Sequence, residues 1–282
     1  MSGKLIVVGT PIGNLSDFSP RAKEALSSAD FIAAEDTRVT VKLLNKFGIK
    51  KPLVSYYEHN KYGRGGKIVE RIEAGETCAI VSDAGMPAIS DPGELLVAQC
   101  AEKGIDVSVV PGPCAAVSAL AVSGLPSGRF TFEGFLSVSK KSRREHLESL
   151  KNEHRTMIFY EAPHKLSATL CDMLKVFGDR RLVLARELTK IHEETIRTTL
   201  AKAAKRYESG GAKGEFVLII EGAPFTDKKD RYDMPEAVEI ARGFIKDGLS
   251  ASEAAKNAAA ETGFKKNEIY KEVTADNKIM QE

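Results

Sequence analysis

Positions 82–93 read Ser-Asp-Ala-Gly-Met-Pro-Ala-Ile-Ser-Asp-Pro-Gly, directly after the apolar run Cys78–Val81. Glycine opens unusual φ angles, and proline removes a donor while holding φ, so this composition reads as a backbone kept in a defined shape. Loops of this kind at the carboxyl ends of strands are where small ligands bind in open α/β sheets. Two further loops have the same character. Gly9-Thr10-Pro11-Ile12-Gly13-Asn14 follows an apolar run at 4–8, and Pro111-Gly112-Pro113-Cys114-Ala115-Ala116 follows one at 107–110. Three such loops can converge on one ligand. Gly9 and Gly13 do not fit G-x-G-x-x-G, and no G-x-x-x-x-G-K-[ST] is present, so neither a dinucleotide fingerprint nor a P-loop explains them. The residues alone imply a small-molecule site whose ligand they leave open.

The elements around these loops alternate. The pattern predicts a helix over 20–29, with Ser19 as N-cap and Pro20 at the first helical position. A strand over 31–34 should end in Glu35-Asp36-Thr37-Arg38, and a helix over 40–47 should stop at Gly48. A strand over 54–57 and a helix over 67–74 follow. Such alternation implies a largely parallel sheet covered by helices. Residues 123–128, Ser-Gly-Leu-Pro-Ser-Gly, read as a hinge into a second α/β region. Its expected strands are 130–135, 156–160, 181–185 and 215–221, with helices near 142–152, 164–177 and 199–208. The expected fold class is therefore α/β, divided as 1–124, 125–225 and a helical tail at 226–282. The tail opens on a charged linker at 227–231 and then shows only helical patterns. Helices over 251–262 and 265–273, separated by Gly263, would bury Leu249, Ala254, Ala255, Ala258, Ile269, Tyr270 and Val273. That matches a helix-turn-helix, or equally a plain α-hairpin used for packing.

Composition narrows the class without naming the ligand. The chain has 282 residues, 43% of them hydrophobic, and 41 basic against 39 acidic side chains. That near balance neither demands nor excludes a nucleic-acid partner. Cys78, Cys100, Cys114 and Cys171 form no C-x-x-C, so buried, reduced thiols are expected rather than a metal site or a disulfide framework. The chain opens without a signal-peptide pattern, and no apolar run approaches the ~18 residues of a membrane span. A cytoplasmic protein is expected.

Eight stretches in register also resemble a known family. They are Gly9-Thr10-Pro11-Ile12-Gly13-Asn14-Leu15, Glu35-Asp36-Thr37-Arg38, the loop at 82–93, Pro111-Gly112-Pro113-Cys114-Ala115 and Ser123-Gly124-Leu125-Pro126. Phe159-Tyr160-Glu161-Ala162-Pro163-His164, Arg186-Glu187-Leu188-Thr189-Lys190 and Lys213-Gly214-Glu215-Phe216 complete the set. The chain resembles the tetrapyrrole-methylase superfamily of S-adenosylmethionine (SAM) methyltransferases, and within it the bacterial 16S rRNA cytidine 2′-O-methyltransferases. The resemblance implies two α/β domains of the tetrapyrrole-methylase type with SAM in the cleft between them, a small helical C-terminal domain, and a homodimer. It assigns to the donor Pro11, then Ser82, Asp83, Ala84 and Met86, then Cys114 and Ala115. In the second half it assigns Tyr160, Glu161, Leu188, Phe216 and Val217. Many relatives have Ser where this chain has Cys114, so a backbone contact carries over there and a hydroxyl bond does not.

The chemistry that follows is in-line attack of a ribose 2′-hydroxyl on the SAM methyl carbon. Positioning should contribute most, and no metal is required. Glu35, Asp36, Glu187, Lys190 and His192 are candidates to accept the hydroxyl proton. Glu35, Arg38, Glu187 and Lys190 are taken as the catalytic-site set. For RNA, the basic run Lys140, Lys141, Arg143 and Arg144 and the tail residues Lys265, Lys266 and Lys271 are candidate phosphate contacts. Tyr56, Tyr57, His59 and Tyr62 could stack on a base or simply pack beneath their loop. The expected substrate partner is 16S rRNA or the small ribosomal subunit. The rival functions are methylation of a tetrapyrrole and non-catalytic RNA binding in ribosome assembly.

Overall fold

The apolar runs of the first half become five parallel strands. A computed structural model of the chain describes residues 3–224 and 232–279. The strands are β1 (Lys4–Val8), β2 (Phe31–Ala34), β3 (Leu53–Ser55), β4 (Cys78–Val81) and β5 (Asp106–Val110), in the order β3-β2-β4-β1-β5. β2 and β4 are buried along their whole length, as strands covered on both faces must be, and so read as unbroken apolar runs. Side chains divide by parity. Ile6, Val8, Ile32 and Ala34 pack with Ala22, Leu26 and Leu44 of α1 (Pro20–Ser28) and α2 (Thr37–Lys46). Leu5, Val7, Phe31 and Ala33 pack with Ile68, Ile72 and Leu96 of α3 (Lys61–Glu73) and α4 (Gly93–Glu102).

The caps correct the expected boundaries. Ser19 caps α1 through its side chain, with Pro20 first in the helix, as its sequence predicts. α2 begins at Thr37 rather than 40, because the Asp36 carboxylate accepts the Arg38 amide at 2.8 Å. α3 begins at Lys61 rather than 67 and runs through three glycines. At Gly65 a Cβ would lie 2.3 Å from the Gln99 Oε1 on α4, so a larger residue there would displace the amide end of Gln99.

α5 (Ala115–Ser123) follows β5 but packs on the other sheet. That sheet contains β6 (Phe130–Phe135), β7 (Thr156–Glu161), β8 (Arg181–Arg186), β9 (Glu194–Thr199) and β10 (Phe216–Ile220), in the order β6-β7-β10-β8-β9. β6 pairs parallel to β7; the other pairings are antiparallel. One face carries α6 (Lys140–Ser149), α7 (Leu166–Phe177) and α8 (Leu200–Arg206), through Leu147, Leu166, Leu170, Met173 and Leu200. The other receives Ala116, Ala119 and Leu120 of α5 against Ile158, Val183, Val217 and Ile219. Both sheets thus belong to one compact unit, Met1–Ala223. β9 was not anticipated. It is an edge strand without an apolar face, and pairing with β8 rather than its own periodicity makes it a strand.

The second unit, Pro224–Glu282, contains α9 (Met234–Lys246), α10 (Ala251–Thr262) and α11 (Lys266–Ile279). Capping boxes start α9 and α10, at Asp233 with Glu236 and at Ser250 with Glu253. Gly263, at φ +80°, ends α10. Ala237, Ala241, Ala255, Ala258, Ile269 and Val273 form its core. Tyr270 is 42% exposed and Leu249 only half-buried, so neither belongs fully to the buried face expected of them. The expected linker at 227–231 lies outside the described residues.

Among the described residues no helix is long and apolar enough to cross a membrane, and no cluster of three metal-ligating side chains occurs. All four cysteines are free. Cys78 and Cys100 are buried, whereas Cys114 and Cys171 are half-buried, which corrects the expectation of four buried thiols.

Candidate active site

The three strand-end loops lock together through their backbones. Thr10 and Gly85 exchange amide hydrogen bonds at 2.9 and 3.2 Å, and the Gly9 amide donates to the Val110 carbonyl at 3.1 Å. The Gly112 amide donates to the Met86 sulfur at 3.2 Å. Within the loop at 82–93, the Asp91 Oδ1 accepts the Ala88 and Gly93 amides at 3.0 and 2.8 Å. That clamp holds Ala88 and Ser90 at φ +65° and +67°, positions that side-chain-bearing residues seldom adopt.

The second sheet closes over these loops. The Tyr160 hydroxyl, at the end of β7, accepts the Ala116 amide of the first turn of α5 at 3.1 Å. Burial pushes that phenol up to about 12, so it stays neutral. Glu161 is buried, and its carboxylate accepts the Ala162 amide at 2.9 Å and the Thr169 hydroxyl at 2.5 Å. Between the two sheets lies a cleft of about 520 Å³. Ser82, Asp83, Ala84, Met86, Cys114, Ala115, Tyr160, Glu161, Leu188, Phe216 and Val217 all line it, as does Glu35. Pro11 is not among the lining residues; its neighbour Ile12 is. Ile89, Ser90, Asp91, Phe135 and Glu215 also line it and were not singled out from the sequence. The Asp-Pro-Gly that closes the loop could have flagged Asp91. Nothing local flags Phe135, which a strand irregularity turns towards the cleft.

Acidic groups gather at one end. The Asp36 amide donates to the Asp83 carboxylate at 3.0 Å, and the Asp83 amide lies 3.4 Å from the Glu35 Oε2. Burial raises the Glu35 carboxyl above its ordinary range, partly offset by the Asp83 amide, and the charges of Asp83, Asp91 and Asp36 raise it further. Burial likewise raises Asp83. Asp36 differs. The exposed Arg38 guanidinium grips it at 2.6 Å and holds it down at about 2. Arg38 therefore pairs with Asp36 beside the cleft and does not line it.

Glu187 and Lys190 occupy a separate shallow hollow with Gly13, Asn14, Leu15, Thr189, Ile191 and His192. The Lys190 ammonium bridges the Glu187 Oε1 and the Glu215 Oε2, each at 3.0 Å. Burial works against its charge, but those two carboxylates outweigh it and raise its pKa. The Glu215 amide and then Lys190 hold Glu187 below the ordinary range. Lys190 is thus a cation at neutral pH, with no lone pair to accept a proton, and Glu187 is an anion whose lowered pKa makes it a weak base.

The basic run is divided. Arg143 is not a free phosphate contact: its guanidinium is largely buried and bonds Asp172 on α7 at 2.7 Å, tying α6 to α7. Lys140, Lys141 and Arg144 are exposed, the last two near Glu145 and Glu148 one turn on. In the tail, Lys265 is exposed and the Lys266 ammonium donates to the Ser252 hydroxyl at 2.9 Å. Lys271 lies on the exposed side of α11. Tyr56 is 1% exposed and cannot stack on a base, while Tyr57, His59 and Tyr62 are exposed.

A parallel sheet whose strand-end loops are roofed by a mixed sheet, with one cleft between them, defines a class of methyltransferase. Residues 4–204 match the family described as Tetrapyrrole (Corrin/Porphyrin) Methylases, and the chain belongs to that family. Within it, the chain is 46% identical to a Synechocystis protein named Ribosomal RNA small subunit methyltransferase I, over 95% of this chain and 96% of that one. It is 50% identical to a Thermotoga maritima protein of the same name, over 78% of this chain and 99% of that one. The crystal structure of a uroporphyrin-III C-methyltransferase from Thermus thermophilus superposes with a TM-score of 0.55 at 19% identity, covering 78% of this chain and 94% of that one; it shares the fold.

Proposed function

We propose that the chain methylates the 2′-oxygen of a cytidine ribose in small-subunit (16S) ribosomal RNA, with SAM as methyl donor. The cleft between the sheets carries this reading. Its volume of about 520 Å³ suits a nucleoside-sized ligand. Its walls include apolar Ala84, Met86, Ala115, Leu188, Phe216 and Val217, while Glu35 and Asp83 supply negative charge at one end. That combination fits a ligand with an adenosine moiety and a cationic centre. When bound, SAM supplies an electrophilic methyl carbon on a sulfonium centre.

The chain's own residues do the rest. The interlocked loops hold the backbone of the donor site in place before binding, so less ordering remains to be done on binding. Transfer to a ribose hydroxyl releases one proton, and Glu35 is the group suited to hold it, because its raised pKa brings it nearer to neutral pH. Lys190, Glu187 and Arg38 hold the surrounding loops and the approach to the cleft. Lys140, Lys141, Arg144, Lys265 and Lys266 are assigned to RNA phosphates. The division into 1–124, 125–225 and 226–282 belongs to the same reading, as does work in the cytoplasm. So does a homodimer, for which the uncharged helix α5 offers exposed Val117 and Val122.

The test is methyl transfer from labelled SAM to small ribosomal subunits purified from cells lacking this protein, with the RNA then digested to nucleosides. Label in 2′-O-methylcytidine is expected. Label in another nucleoside, or none in RNA while SAM still binds, would overturn the proposal.

A further inference from the structure

Phe135 ends the edge strand β6 yet is 59% exposed and lines the cleft. Its orientation is a product of the backbone. In a regular strand, residues three apart point to opposite faces. Phe132 and Phe135 nevertheless both lie against the Tyr160 ring, with centroids 5.0 and 5.4 Å away. The irregularity between Phe132 and Gly134 resets the register against β7, and Gly134 takes φ +63°. Bulges of this kind re-aim side chains beside active sites. The displaced residue, Glu133, bonds His146 at 3.0 Å.

A second distortion presents another apolar side chain to the same cleft. Ile89 is 50% exposed, lines the same cleft and sits between Ala88 and Ser90, the two positive-φ residues of its loop. The two distortions touch: a Cβ on Gly134 would lie 3.1 Å from the Ser90 Oγ. Phe135 is also rigidly backed, because the ring behind it belongs to Tyr160, whose hydroxyl is tied to α5. An exposed aromatic ring backed by a fixed ring in the wall of a cleft, with an exposed aliphatic side chain lining the same cleft, is built to take a flat ring. Single exposed apolar residues need no explanation, but two of them presented to one cleft by two abutting backbone distortions do.

We infer that Phe135, with Ile89 lining the same cleft, forms a stacking platform for a planar nucleobase at the cleft mouth, that of the RNA acceptor nucleotide. This rests on the methyltransferase reading given above. The exposed position favours the acceptor base over the adenine of the donor, for which the deeper walls at Ala115, Leu188 and Val217 provide the apolar contact. Stacking on an aromatic side chain tolerates any base, so the platform would position the nucleotide while its identity is read elsewhere.

The chain has no tryptophan, so Phe135→Trp introduces a single tryptophan at the platform, excited selectively at the red edge where the seven tyrosines do not absorb. Its emission would be titrated with S-adenosylhomocysteine and, separately, with a cytidine-containing single-stranded RNA oligonucleotide. In parallel, Phe135→Ala would be compared with the unsubstituted protein for SAM affinity by calorimetry and for KM towards small ribosomal subunits. Quenching by the RNA but not by S-adenosylhomocysteine is expected. With it should come a KM for Phe135→Ala raised about tenfold or more at unchanged SAM affinity, and near-normal KM for Phe135→Trp. Quenching by S-adenosylhomocysteine with an equal loss of SAM affinity would assign the platform to the donor adenine and overturn the inference. Unchanged KM and SAM affinity in Phe135→Ala would overturn it as well. An unsubstituted protein that labels no RNA would instead sink the underlying function, and the fluorescence titration would still report on the platform.

Discussion

Gly9 and Gly112 meet face to face beneath the cleft: a Cβ on Gly9 would lie 2.6 Å from the Gly112 Cα, and one on Gly112 would lie 2.8 Å from the Gly9 Cα. The first and third loops can be this close only because both residues lack side chains. Gly112→Ala must therefore push apart a pair of backbones that also hold Met86 and Gly85. We expect a loss of about 1–3 kcal/mol in stability from the overpacking. SAM affinity should fall more than tenfold, read by thermal melting and calorimetry. A normal SAM affinity in this variant would show that the interlock does not shape the donor site.

Glu35→Gln should lower kcat at saturating SAM by about 10²–10⁴-fold, with a smaller loss of SAM affinity from the removed charge, if Glu35 takes the hydroxyl proton. The pH profile follows from the raised pKa. Ionised Glu35 is the working form, so the rate should fall on the acid side at a higher pH than an ordinary carboxylate would give. The stability effect has the opposite sign. A carboxyl whose pKa is raised by folding destabilises the fold once pH rises above its unfolded value. Glu35→Gln should thus melt no lower than the original protein at neutral pH, separating lost catalysis from lost folding.

Lys190 sits between two carboxylates, and Lys190→Met leaves Glu187 and Glu215 without their shared cation. The depressed pKa of Glu187 contributes stability that is present above its unfolded pKa and lost as pH falls through the folded one. Without Lys190 that depression shrinks, so acid unfolding should begin at a higher pH. Melting curves of the two proteins from neutral to acid pH would measure this. Superimposable curves would show that the backbone amide of Glu215 alone sets Glu187.

Neighbouring arginines should behave oppositely. Arg143→Glu puts a second carboxylate against Asp172 in a largely buried position and should cost about 3 kcal/mol or more of stability. Arg144→Glu changes an exposed side chain and should leave melting unaltered. If Arg144 contacts phosphate, its loss should weaken RNA binding and reduce the salt dependence by about one counterion. Equal RNA affinity across a salt series would remove Arg144 from the interface.

Much of the scaffold was legible because its causes are local. The unbroken apolar runs of β2 and β4, the Ser19-Pro20 start of α1 and the Ser250 start of α10 lie within a few residues of what they control. The loop at 82–93 announced itself the same way, through the backbone demands of its Gly and Pro residues. β9 was missed because pairing with β8, rather than any apolar alternation of its own, makes it a strand. Tyr56 could be read either as a stacking ring or as packing beneath its loop, and Arg143 as a phosphate contact among lysines; long-range packing buried Tyr56 and most of Arg143.

The chain by itself determined that three Gly/Pro loops would end parallel strands, and that acidic groups would follow the strands at 31–34 and 78–81. The tertiary structure decided what those groups can do. Burial beside Asp83 raised Glu35, while Arg38 lowered Asp36, its immediate neighbour in the chain, because solvation and charge depend on who is near in space. It also turned Phe135 into the cleft, since the bulge that reverses its face arises from pairing with β7 and has no counterpart in local periodicity.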